Sequence, residues 1–127
     1  MSENDLSAII VDAALKVHRT LGPGLLESVY ESALALELRK RGLTVEVQKE
    51  IPAFYEGVEL GIGFRADLII NGLVLIELKS VETVKDVFKK TTLTYLRLTG
   101  LRLGLLMNFN EALLKDGIKR IVNGLPD

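Results

Sequence analysis

Arg65-Ala66-Asp67-Leu68-Ile69-Ile70-Asn71-Gly72-Leu73-Val74-Leu75-Ile76-Glu77-Leu78-Lys79 contains two apolar runs joined by Asn71-Gly72, with Asp67, Glu77 and Lys79 as isolated charges in sequence otherwise suited to burial. Asn and Gly both tolerate the positive φ that tight connections need, so the stretch reads as a β-hairpin. Alternation along a strand puts Glu77 and Lys79 on one face and Leu78 on the other. Charges at the ends of such apolar strands lose hydration and persist when paired or bound to a metal. Two carboxylates and an ammonium suit a hard cation with oxygen ligands, Mg²⁺ or Mn²⁺, with a water beside it. A purely structural ion-pair cluster of the three is the alternative.

The connection decides whether such a site can exist. A strict two-residue turn would pair Ile70 with Leu73 and send Asp67 and Glu77 to opposite faces. A connection of odd length, such as a type I turn followed by Gly72 as a left-handed bulge, pairs residues of equal parity and returns both carboxylates to one face. The odd register is expected.

The 127 residues suit one domain, 1–127, with a core large enough to need no staples. There is no cysteine and a single histidine, which excludes disulfides, thiolate zinc sites and His-rich metal sites, and suits a cytoplasmic location. The first residues are acidic, and no apolar run approaches the ~18 residues of a membrane span, so no membrane partner is expected. A net charge of −1 gives no general attraction for polyanions, so any nucleic acid must be met by a local patch. The 48% hydrophobic share is high for this length and points to an apolar surface shared in a homodimer.

Ile9, Ile10, Ala13, Ala14, Val17 and Leu21 recur at helical spacing over residues 7–20. His18 borders that face; a packed histidine is the commoner case, and a phosphate-facing one near the helix end is the functional alternative. Leu21-Gly22-Pro23-Gly24 breaks the chain before a second helix over 25–41, with Leu26, Val29, Ala33 and Leu36 as its apolar stripe. Glu27, Tyr30 and Glu31 fall on another face at i, i+3 and i+4, where a solvated stripe is the plain reading. Residues 43–55 read as a strand that ends or bends near Pro52, and Glu56-Gly57 turns it back. Gly61 and Gly63 mark a bulge, or a place where something approaches the backbone of the next strand.

A helix over 85–99 presents Phe88, Thr91, Thr92, Tyr95 and Thr99 on one side. Lys85, Lys89, Lys90, Arg97 and Arg102 face one acid, Asp86, in this region. That is the best phosphate-facing surface of the chain, against a merely solvated helix face. Residues 103–109 form an uncharged apolar run fit for a buried strand, and a turn and short element follow to residue 122. The order predicts an α/β fold with a mixed central β-sheet flanked by helices.

Gly24-Leu25-Leu26-Glu27-Ser28-Val29-Tyr30 matches the G-x-x-E-x-x-Y signature, and Asp67 with Glu77-Leu78-Lys79 matches a D…ExK core. On both motifs the chain resembles the GxxExxY proteins, within the PD-(D/E)XK nuclease-like superfamily, over residues 5–123. The resemblance implies a restriction-endonuclease-like core. It also implies a metal site in which Asp67 and Glu77 hold Mg²⁺ or Mn²⁺ with the Leu78 backbone carbonyl, and Glu27 supports the shell. Lys79 then orients the attacking water or stabilises charge, and Tyr30 and Tyr95 line the site. Relatives commonly carry Gln four residues before the late-helix tyrosine, where this chain has Thr91, shorter and without an amide. Two functions follow as expectations. One is a Mg²⁺-dependent nuclease hydrolysing phosphodiester bonds of DNA, or less readily RNA. The other is a catalytically silent, homo-oligomeric module of the same fold that binds nucleic acid or a protein.

Overall fold

The computed structural model describes residues 1–126. Helices α1 (Glu3–Leu21) and α2 (Glu27–Lys40) precede strands β1 (Val45–Tyr55), β2 (Val58–Ile70) and β3 (Val74–Lys79). Helix α3 (Asp86–Thr99), strand β4 (Leu103–Asn108), a 3-10 turn (Leu114–Gly117) and strand β5 (Ile118–Val122) complete the order. The five strands form one mixed sheet in sequence order, antiparallel except for the parallel β3–β4 pair that α3 connects. Helices α1 and α2 bury Leu6, Ile10, Leu34 and Leu38 against Leu68, Ile76 and Leu105 on one face. Helix α3 covers the other face, where Leu96 meets Phe64, Ile69 and Leu75. Both faces of the central strands are therefore dry, and β3 and β4 read as near-continuous apolar runs for that reason.

Local chemistry fixes the ends of the elements. Ser2 caps α1 through a reciprocal capping box with Asp5, which starts the helix earlier than the apolar spacing alone indicates. Gly100, left-handed at φ 72°, stops α3.

Helix α2 corrects the expected stripe. Leu26 is 75% exposed and Leu36 56%, with Val29 also exposed, while Tyr30, Leu34, Ala35 and Leu38 are buried. Aliphatic residues lie on two sides of this helix, so periodicity does not choose between them. Tyr30 decides: its ring stacks on Phe109 with centroids 4.6 Å apart, and its hydroxyl is fully partnered within the core.

The connection from β2 to β3 has odd length. Ile70 pairs with Val74 and Leu68 with Ile76, leaving residues 71–73 as the loop. Asn71 and Gly72 are both left-handed, at φ 52° and 64°, and the Leu73 N–H donates to the Ile70 carbonyl at 2.9 Å. That is a primed turn with Leu73 as the extra residue, instead of a type I turn with its bulge at Gly72. Asn71 also ties the turn to β1: its side-chain oxygen accepts from Thr44 N–H at 2.8 Å, and its own N–H donates to the Thr44 carbonyl at 2.9 Å.

The outer β1–β2 arm bends through register shifts near Pro52 and Ala53. What approaches the backbone at Gly63 is Ala53 of the facing strand, whose Cβ would lie 2.9 Å from an added Cβ. The same ribbon changes faces. Val45 and Leu68 pack with α1 and α2, whereas Ile51 and Ala66, of the same parities, pack on the α3 side. In a regular ribbon equal parity keeps one face. The change falls at Gln48, φ 49°, and Asp67, which stand opposite each other between the pairs Val47–Leu68 and Lys49–Ala66.

Candidate active site

The odd register carries Asp67 outward to a place opposite Glu77. The Asp67 N–H donates to Glu77 Oε1 at 3.3 Å, and the Leu78 N–H donates to Asp67 Oδ2 at 2.8 Å. Asp67 is half-buried, whereas Glu77 is 7% exposed. Burial, and then the negative charge of Asp67, push the Glu77 carboxyl up to about 9, with Lys79 opposing only in part. The Glu77 carboxyl therefore resists ionisation unless a cation stands beside it. The Leu78 side chain points away into the α1/α2 core, as alternation requires.

Lys79 forms no ion pair among the described residues. Its Nζ lies 4.5 Å from the centroid of the Phe88 ring, a cation–π contact. The structural ion-pair cluster considered from the sequence does not form. Glu77, Lys79, Phe88, Thr91, Thr92 and Tyr95 line a cavity of about 40 Å³, room for a water and not for a nucleotide. Tyr95 stacks flat on Phe64 with centroids 3.7 Å apart, and burial, with the nearby Glu77 and Asp67 charges, raises its hydroxyl above the usual tyrosine range. Lys89 and Lys90 are exposed on the same helix, Lys89 within 3.8 Å of Asp86.

The G-x-x-E-x-x-Y segment has a physical explanation. The Tyr30 hydroxyl donates to the Gly22 carbonyl at 2.5 Å and accepts from Leu25 N–H at 3.0 Å, which clamps the Gly22-Pro23-Gly24 loop from below. Ser80, just after β3, closes the loop from the other side: its hydroxyl donates to the Leu25 carbonyl at 2.8 Å and its N–H to Glu27 Oε1 at 3.2 Å. Glu27, at the first turn of α2, is thereby held at the end of β3. Tyr30 itself is fully buried and does not line the site. His18 does not line it either. Its Nε2–H donates to the Glu111 carbonyl at 2.8 Å, its ring tilts against Phe109, and it borders a separate cavity with Leu15, Leu113 and Leu114.

Three further residues belong to the arrangement. Gln48 Nε2 donates to Glu31 Oε2 at 2.6 Å and to Asp67 Oδ1 at 3.0 Å. Glu31 is half-buried; burial raises its carboxyl, opposed by the Gln48 hydrogen bond, with Asp67 and Glu27 adding to the rise. Buried Asn108 ends β4 and exchanges two hydrogen bonds with Val81, at 3.1 and 2.8 Å, which pins the chain leaving Lys79. A polar residue closing an uncharged run was the available signal for Asn108. For Gln48 the sequence carries none.

Among the described residues no three of His, Cys, Asp and Glu converge as a metal cage. A Mg²⁺-type ion asks for less, one or two carboxylates with its remaining positions filled by water and substrate oxygens. Asp67 and Glu77 supply two hard oxygen donors, one of them buried and in need of a positive charge, so the donor set fits such an ion. No curated protein and no solved structure matches the chain. The sequence pattern of the PD-(D/E)XK nuclease superfamily, whose nucleases generally use divalent metal ions and act on nucleic acid, matches residues 4–121. With that match over nearly the whole length, on a mixed sheet flanked by helices, the chain belongs to the PD-(D/E)XK nuclease superfamily.

Proposed function

We propose that this chain is a single-domain, Mg²⁺- or Mn²⁺-dependent nuclease of the GxxExxY group that hydrolyses phosphodiester bonds of DNA. The observation that carries the reading is Glu77, a buried acid whose ionisation is opposed by burial and by Asp67, beside a lysine with no carboxylate partner among the described residues. Asp67 and Glu77 are the ligands we assign, with the Leu78 carbonyl, and Glu27 supports the shell from α2. A divalent ion held there supplies positive charge against which a water ionises near neutral pH and which offsets charge growing on the phosphoryl oxygens. Lys79, poised over Phe88, places its ammonium beside the attacking water or the charged phosphoryl group, where a preformed charge needs no reorganisation. Tyr95 and Thr91 bound the water-sized cavity next to it. Lys85, Lys89 and Lys90, exposed on or just before the first turns of α3, offer charge to the flanking phosphates.

One observation favours a second reading, a catalytically silent module that binds nucleic acid or protein. Thr91 faces the Lys79 cavity with a short side chain that carries a hydroxyl and no amide. In that reading the outer arm, with Phe54, Tyr55, Val58, Leu60 and Ile62 all more than half exposed, pairs with a second copy of the chain.

Cleavage of labelled single- and double-stranded DNA and RNA with Mg²⁺ or Mn²⁺ separates the two. Activity lost in both Glu77→Ala and Lys79→Ala supports the nuclease. No cleavage by wild-type protein that is folded and binds the metal supports the silent module.

A further inference from the structure

Among the described residues three other than glycine have positive φ, and two of them, Glu56 and Asn71, sit in hairpin turns where that conformation is ordinary. The third, Gln48, lies inside β1 with φ 49°. A residue with a long side chain holds the left-handed region inside a strand only where its surroundings over-determine it, and such residues cluster at functional sites. Here the ribbon changes faces at that residue, and its side chain meets two carboxylates. A single amide nitrogen, Gln48 Nε2, donates one hydrogen to Glu31 on α2 and the other to Asp67 on β2.

We propose that Gln48 is a positioning residue of the site: its amide fixes the Asp67 carboxylate toward Glu77 and ties Glu31 into the same acidic wall, which sets the affinity for the divalent ion. This rests on the metal-dependent reading above and extends it to two residues outside the D…ExK motif. Asp67 Oδ2 is already held by the Leu78 N–H at 2.8 Å. The Gln48 amide holds Oδ1 at 3.0 Å, so both oxygens are oriented and each keeps acceptor capacity for a cation. An outer group that hydrogen-bonds a ligating carboxylate commonly changes metal affinity by about 10–100-fold when removed. The backbone conformation itself asks only for glycine. A strand kink alone explains the φ of Gln48; the reach of its side chain to α2 needs a second reason, and the shared amide provides it.

The test is Mn²⁺ binding to the metal-free protein by titration calorimetry, with melting temperatures of the metal-free forms, for wild type, Gln48→Gly, Gln48→Ala, Glu31→Ala, the Gln48→Ala/Glu31→Ala double variant and Glu77→Ala. Gln48→Gly is expected to melt no lower than Gln48→Ala, because glycine accepts the backbone, while both bind Mn²⁺ about tenfold or more weaker than wild type. If the amide and Glu31 act as one chain, the double variant loses no more than the worse single one. Wild-type affinity in Gln48→Gly reduces Gln48 to a kink and overturns the proposal, as do losses that add fully in the double variant. If wild type does not bind Mn²⁺, the metal-dependent reading falls and takes this inference with it. If wild type binds, Glu77→Ala does not and Gln48→Gly equals wild type, only the inference falls.

Discussion

Glu77→Gln should make the metal-free protein more stable at neutral pH and remove most of its pH dependence between pH 5 and 9. In the native protein burial and Asp67 raise the Glu77 carboxyl from 4.5 to about 9. The unfolded chain therefore ionises Glu77 from about pH 4.5 upward while the folded chain keeps its proton, and the folded state binds more protons throughout that window. Stability from this group is complete below pH 4.5 and drains away as pH rises toward 9, at ~1.4 kcal/mol per unit. By pH 7.5 the loss is ~4 kcal/mol, of which ~3 kcal/mol falls between pH 5.5 and 7.5. Glutamine copies the protonated acid: its oxygen accepts from the Asp67 N–H, and it cannot ionise. Glu31, raised in the same direction, is present in both proteins and cancels from the difference. The lowered carboxyls of Glu3, Asp5 and Glu37 act below this window, and Tyr95 acts above it. Urea denaturation of both proteins in EDTA at pH 5.5, 7.5 and 8.5 reads the effect directly. The gap should widen with pH, and saturating Mg²⁺ should stabilise wild type and leave the variant unmoved. A flat wild-type profile, or wild type more stable than Glu77→Gln at pH 7.5 without metal, would show that the fold accommodates two carboxylates unaided and refute the reasoning.

Tyr30→Phe removes the hydroxyl that the Gly22 carbonyl and Leu25 N–H share in the core, so stability should fall by about 1–3 kcal/mol in urea, and Mn²⁺ affinity with it as the Glu27 loop loosens; unchanged stability would deny Tyr30 its role as a clamp. Asn71→Ala puts a Cβ residue without side-chain acceptor at φ 52° and deprives Thr44 N–H of its partner, which should cost about 1–3 kcal/mol, with Asn71→Gly losing less because it keeps the conformation. Equal losses in the two would show that the backbone conformation is not what the turn selects. His18→Ala should lower the melting temperature through the lost Glu111 contact and Phe109 packing yet bind Mn²⁺ and DNA as wild type does; a selective loss of DNA binding would return His18 to the site.

The candidate site was legible because two acids on neighbouring strands constrain their own register. Asp67 and Glu77 share a face only if the loop contains an odd number of residues, so burying three charges among aliphatic residues already favoured the odd connection; the structure meets it with a primed turn and Leu73 as the odd residue. Helix α2 was legible in extent and not in orientation. Leu26, Val29 and Leu36 were as plausible a buried stripe as Tyr30, Leu34 and Leu38, and what separates them, the Phe109 ring and the loop beneath the Tyr30 hydroxyl, is tertiary. Tyr30 and His18 illustrate one confusion: a polar aromatic near a functional motif is read as lining the site, when its polar atom is spent on a backbone carbonyl. Gln48 was illegible for a deeper reason. Nothing in a Val-Gln-Lys run announces a left-handed residue, since that conformation is imposed by a ribbon that must turn its Ile51–Ala66 half toward α3 and its Val45–Leu68 half toward α1 and α2. The residue at that crossing lies opposite Asp67 by register alone. The twist that closes two cores around one sheet therefore also delivers an amide to the acid, and a change that straightened the ribbon would be expected to disturb the proposed metal site without touching either of the two assigned ligands.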